Sequence, residues 1–137
     1  MKSIVLGYDD TETAKRALDR TAELAKTFGA SVTVVSVAPA LVGAAHGIGP
    51  IDPVEPPELH REQLELAKAE FGRRGIEAAS QLALGDPADT ILDVAEREGA
   101  DMIVVGSGHA SFISELFGTS VSGSVQRRAH CDVLVVH

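Results

Sequence analysis

The chain has no tryptophan, one tyrosine and four phenylalanines among its 137 residues, too few flat rings to build a base-stacking platform for single-stranded nucleic acid. Basic side chains are also scarce. Twelve Lys and Arg stand against twenty Asp and Glu, and a formal charge of −8 argues against a general nucleic-acid binder, which must gather cations to neutralise phosphates. With a single cysteine, Cys131, no intramolecular disulfide can form, which suits a reducing, cytoplasmic setting, and a small residue buried in the core is the expected role of that thiol. No run approaches the ~20 apolar residues of a membrane span, and the apolar run near Met1 is too short for a signal peptide, so a soluble protein without a membrane role is expected. Residues 1–137 are expected to form one domain, enough to bury roughly 65–70% of the unfolded surface.

What is present alternates. Ile4-Val5-Leu6, ending at Gly7, reads as a strand buried on both faces. Asp10 or Thr11 can cap a helix whose apolar positions Ala14, Ala17, Leu18, Ala22, Leu24, Ala25 and Phe28 keep helical spacing up to Gly29. The β-branched run Val32 to Val37 is a second strand, stopped by Pro39. Between 39 and 57 lie Pro39, Pro50, Pro53, Pro56 and Pro57 with Gly43, Gly47 and Gly49, and periodicity disappears; a long loop with a mobile tip is expected, either disordered or serving as a lid or partner contact.

Helical spacing returns from Glu58 to Phe71, with Leu59, Leu64, Ala67 and Phe71 on the apolar stripe and Gly72 and Gly75 ending it. Ile76 to Leu84 alternates weakly, as an edge strand does. Asp86 as cap with Pro87 in the first turn starts a third helix, whose stripe is Ala88, Ile91, Leu92 and Ala95. Met102 to Val105 is a fourth strand, Val121, Val125 and Ala129 line a last helix, and Val133 to Val136 is a fifth strand. This β-α order predicts an α/β fold: a doubly wound open sheet of five parallel strands with helices on both faces. If the strand order is 3-2-1-4-5, ligands are expected outside the carboxyl ends of strands one and four, where Asp9 and Gly106 fall.

That place has further chemistry. After the fourth strand the chain breaks at Gly106-Ser107-Gly108, and Gly118, beside Thr119 and Ser120, opens a helix. A glycine loop feeding a helix start is the form of a phosphate site, because backbone N–H groups and about +0.5 of dipole charge converge there. Between Ser107 and Val125 there is no Lys or Arg, only His109, and Glu115 adds a negative charge. A triphosphate would therefore require a divalent cation, whereas a less charged nucleotide would not.

The chain also resembles the universal stress protein family over nearly its whole length. The resemblance is carried by Ile4-Val5-Leu6-Gly7-Tyr8-Asp9, by Gly85-Asp86-Pro87-Ala88 with Ile91, by Ala100 to Ser107, and by Ala129 to Val136. ATP-binding members have a loop of the form G-x-x-G-x9-G-[ST]. Counted from Gly106, only Ser120 fits this form; counted from Gly108, nine residues lead to Gly118-Thr119, with the first interval one residue short and one extra residue before Val121. Glycines serve where only their backbone freedom does, which favours the second alignment.

The resemblance implies that Asp9 and Val37 face the nucleoside and that Gly106, Gly108, Gly118, Thr119 and Ser120 face the phosphates. Plainer roles stand beside these: Asp9 as a helix cap, Val37 as core, Gly106 and Gly108 as a tight turn, Thr119 or Ser120 as a cap. The implied cofactor is ATP or another adenine nucleotide, with or without Mg2+, in a stress-response or signalling protein working through conformation or partner affinity. A homodimer through Val133 to Val136 is implied too, which would cover an apolar edge. The alternative is the same fold with a degenerate site, a homodimeric interaction module that binds no nucleotide. Least favoured is slow nucleotide hydrolysis, since no placed base, arginine, zinc motif or Walker lysine is found, and neither a catalytic residue nor a resident metal is expected.

Overall fold

The computed structural model describes residues 1–38, 57–108 and 120–137. The expected long loop and the segment with His109, Glu115, Gly118 and Thr119 lie outside these residues. The described elements are β1 (Ser3–Gly7), α1 (Glu12–Phe28), β2 (Ser31–Ala38), α2 (Pro57–Arg73), β3 (Ala78–Leu84), α3 (Pro87–Glu98), β4 (Met102–Gly106), α4 (Val121–Arg128) and β5 (Asp132–Val136). One sheet holds the strands in the order β3-β2-β1-β4-β5. Every pair is parallel, with Gly7 level with Val35 on one side and Val105 on the other.

Strand alternation divides the core in two. Ile4, Leu6, Val32, Val34 and Val104 point to one face, under the alanine-rich stripe of α1 and under Leu64, Ala67 and Phe71 of α2. Val5, Val35, Ile103 and Val105 point to the other, under Ala88, Ile91, Val94 and Ala95 of α3 and Val125 of α4. Ile4, Val5 and Leu6 are all fully buried, as a central strand requires, each side chain contributing roughly 1.5–3 kcal/mol by its removal from water. Small residues on α1 let the helix lie close to the sheet. The buried Thr21 hydroxyl donates to Ala17 O at 2.7 Å, so its polarity is satisfied within the helix.

Several local expectations are corrected. Phe28 has the right angle on α1 but is its last residue, and 54% of it stays exposed. The stripe of α2 runs through His60, Leu64, Ala67 and Phe71 and not through Leu59, which turns outward. Buried Ser36 of β2 explains the shift, because its hydroxyl lies 3.0 Å from His60 Nδ1 and gives that ring a polar partner. Gly72 lies within α2, which ends at Arg73, and the chain then turns at Gly75, whose φ is 74°. β3 starts at Ala78, and its final Leu84 is exposed. Ala129 is the extended cap of α4, one position past the helix. Cys131 is half-buried beside the second core.

Candidate functional site

β1 lies between β2 and β4, so the chain leaves the middle of the sheet in opposite directions and opens a crevice at the carboxyl ends of β1 and β4. α1 starts directly over it. One wall is Tyr8 to Thr11. The Tyr8 N–H extends the β1 ladder by donating to Val35 O at 2.9 Å, and its buried phenol donates to Asp10 Oδ1 at 3.1 Å. Burial, and then the Asp10 carboxylate, raise the Tyr8 pKa far above its ordinary value, so the phenol stays protonated as a donor. Asp10 has a φ of 62°, a left-handed conformation that Asp tolerates better than most side chains.

Thr11, and not Asp10, is the N-cap of α1, accepting the Ala14 N–H at 3.2 Å. Asp9 lies one step outside that cap. Its Oδ1 accepts the Thr11 N–H at 3.2 Å and the Thr11 hydroxyl at 2.7 Å, and the residue is exposed at the mouth of the crevice. Asp9 therefore braces the cap while one carboxylate oxygen, Oδ2, has no bond to a described residue. Lys15 reaches the same wall, with Nζ 4.0 Å from Asp10 Oδ1.

The opposite wall follows β4. A Cβ on Gly106 would lie 2.7 Å from Thr13 Oγ1 and 2.8 Å from Ala14 N, so the absence of a side chain lets the first turn of α1 press onto the strand end. Ser107 donates its N–H to Val136 O at 2.8 Å, and its buried hydroxyl has no hydrogen-bond partner among the described residues. Gly108, with a φ of 59°, turns the chain so that its N–H donates to Thr13 Oγ1 at 3.2 Å. Thr13 thus touches both glycines of the loop.

Of the residues singled out in the sequence, Asp9, Gly106 and Gly108 meet around the first turn of α1. Val37 is half-buried against the second core, two residues beyond the Val35 that is level with Gly7. Ser120 is the N-cap of α4 and accepts the Gly123 N–H at 3.0 Å. Gly118 and Thr119 lie outside the described residues. Thr13 and Tyr8 were missed. Thr13 reads as an exposed position in an amphipathic helix, and only the crowding at Gly106, 93 residues away, makes its hydroxyl part of the site.

No group of three or more His, Cys, Asp or Glu among the described residues could hold a metal ion. No described helix is long and apolar enough to cross a membrane. A second groove, of about 590 Å³, lies between α3 and α4, with Leu92 and Ile103 in its lining and the Arg128–Asp89 ion pair beside it. Cys131 lines it as well, and burial raises the thiol's pKa, which favours its protonated form.

The model of the universal stress protein family matches residues 1–137. The chain belongs to that family. A universal stress protein of Bacillus subtilis is 30% identical over 97% of this chain and 97% of its own, and one of Thermus aquaticus is 33% identical over 98% of each. Among solved structures, a universal stress protein in complex with cAMP superposes with a TM-score of 0.74 at 26% identity, covering 99% of this chain and 96% of that one. The five-stranded 3-2-1-4-5 sheet described above is therefore a universal stress protein sheet.

Proposed function

We propose that this universal stress protein binds an adenine nucleotide in the crevice between β1 and β4 and acts in stress response or signalling, in the cytoplasm, by changing conformation or partner affinity. The observation that carries the reading is the meeting of Asp9 with the Gly106–Gly108 loop across the first turn of α1, at the switch point of a doubly wound sheet. Its chemistry fits a nucleotide. The Asp9 oxygen that has no bond to a described residue can accept from a ribose hydroxyl, and Gly118, Thr119 and Ser120, which precede α4 in the sequence, would face phosphate. The cAMP complex of a relative 26% identical over almost the whole chain supports the same ligand class. With no Lys or Arg from Ser107 to Val125, one phosphate suits the site better than three, and ATP would require Mg2+.

The test is direct. The purified protein is denatured and the supernatant examined for adenine absorbance and a nucleotide mass; protein that comes empty is titrated with AMP, cAMP and ATP, with and without Mg2+. Binding of AMP or cAMP without Mg2+, with ATP gaining from the cation, is the expected outcome. No bound nucleotide and no binding heat at millimolar ligand would leave the second reading, a homodimeric interaction module. That reading is favoured by β5, an edge strand whose Val133, Leu134, Val135 and Val136 are all half-buried, so that pairing with a second copy would cover them.

A further inference from the structure

Thr13 joins two hydrogen-bond partners, Thr11 and Gly108, through one hydroxyl, and its proton has one possible direction. Thr11 has a single hydroxyl proton and gives it to the Asp9 carboxylate, which only accepts, at 2.7 Å. In the 3.3 Å contact between Thr11 Oγ1 and Thr13 Oγ1, the loosest link of the set, the donor must then be Thr13. The Thr13 oxygen in turn accepts the Gly108 N–H at 3.2 Å. The result is a one-way chain from the Gly108 N–H through two hydroxyls to the Asp9 carboxylate, joining residues about a hundred positions apart in the sequence. Donors that all point toward an anion polarise one another and strengthen the chain. The space for it comes from Gly106, where any Cβ would fall 2.7 Å from the Thr13 oxygen.

The geometry points to Thr13 as a positioning residue of the nucleotide site: seated in the notch at Gly106, its hydroxyl sets the Gly108 loop and the Asp9 carboxylate as one unit. This rests on the reading of the crevice given under Proposed function. A loop on the phosphate side and a carboxylate on the nucleoside side are useful only at a fixed separation, and Thr13 is the described side chain that touches the first and reaches the second through one hydroxyl. Valine has the same shape but no proton to give and no oxygen to accept with. Serine keeps both.

Three variants of the full chain test the proposal: Thr13→Val, Thr13→Ser and Thr13→Val combined with Asp9→Asn. In ligand-free protein, Thr13→Val should speed hydrogen exchange at the Gly108 amide by about fivefold, whereas Thr13→Ser stays within about twofold of wild type. In calorimetric titrations with AMP, Thr13→Val should weaken binding by about fivefold and Thr13→Ser should restore it. The affinity lost through Thr13→Val should shrink in the Asp9→Asn background, because the chain then lacks its anionic end. A merely structural role would instead lower the melting temperature and weaken binding by the same factor in both backgrounds. Unchanged Gly108 exchange in Thr13→Val, undiminished AMP affinity, or additive losses would overturn the role of Thr13. Wild-type protein that binds no nucleotide is a separate failure, that of the site reading itself.

Discussion

The two ends of the sheet use glycine and aspartate in different ways. At the amino end, Gly29 and Gly99 close α1 and α3 with φ of 66° and 60°, and a Cβ added to either would meet nothing within 4 Å. Glycine is there for its backbone angle alone. Asp101 at that end ties the turn before β4 to β1, its Oδ2 accepting the N–H of Lys2 at 2.7 Å and of Ser3 at 3.0 Å. At the carboxyl end the roles are mixed. Gly108 still serves for its left-handed angle, but Gly106 has none and is needed for closeness, while the left-handed turn after β1 falls to Asp10, which is not a glycine. Local sequence rules therefore hold where the chain only has to turn, and bend where a site has to be assembled.

If Gly106 is a matter of closeness, alanine should be costly there even though its backbone angle suits any residue. The obstacle is the backbone of α1 at Thr13 and Ala14, which can retreat only by lifting the helix from the sheet. Gly106→Ala should lose about 2 kcal/mol in urea denaturation and should abolish binding of AMP. A stability within about 0.5 kcal/mol of wild type would mean that α1 is not held against β4 as described. Gly7 marks the difference between crowding by backbone and crowding by side chains, since a Cβ there would meet Ile91 Cδ1 at 2.7 Å and Val105 Cγ1 at 3.1 Å, both ends of side chains.

The complementary substitution at the amino end is Gly99→Ala. Open space around it leaves only the strain of a left-handed alanine, about 1 kcal/mol, with nucleotide binding unchanged. Denaturation and AMP titration of the same variant separate the two terms. A larger loss, or an effect on binding, would break the contrast between an end that turns and an end that assembles.

The contrast also explains what could be read from the sequence. Strand and helix periods, the caps at Asp86 and Gly99, and the parallel order all follow from local patterns, and the switch-point rule then brings Asp9 and Gly106 together without any contact being known. Leu59 and His60 show where that reading stops. Apolar spacing favours Leu59 for the first turn of the α2 stripe, but that position passes to His60, while Leu64, Ala67 and Phe71 keep theirs, because Ser36 on neighbouring β2 offers the imidazole a polar partner. Thr13 was invisible for a similar reason: a hydroxyl in a first helical turn has no local signature, and its role depends on a glycine that is neighbouring only in space. Tyr8 looked like the tail of a strand, whereas its phenol is held by the Asp10 carboxylate. Pattern locates elements and the crevice; side-chain pairing across elements decides which residues furnish it.

The smallest expected effect is at Asp101, and its sign with pH tests the amino end. Two backbone N–H groups, from Lys2 and then Ser3, favour the ionised form and hold its carboxyl below the usual carboxylate range. A folded pKa below the unfolded value means that the ionised group contributes stability above the unfolded pKa, about 3.9, and loses it as pH falls through the folded pKa. Asp101→Asn keeps one acceptor oxygen but loses the charge. The melting temperature of wild type should therefore exceed that of Asp101→Asn by a small margin at neutral pH, and the margin should narrow as the solution is acidified past the carboxylate range. A margin that is constant with pH would mean that the charge of Asp101 contributes nothing and that geometry alone joins β1 to the turn before β4. A margin that grows on acidification would require a raised carboxyl pKa, the reverse of what two donated N–H groups produce.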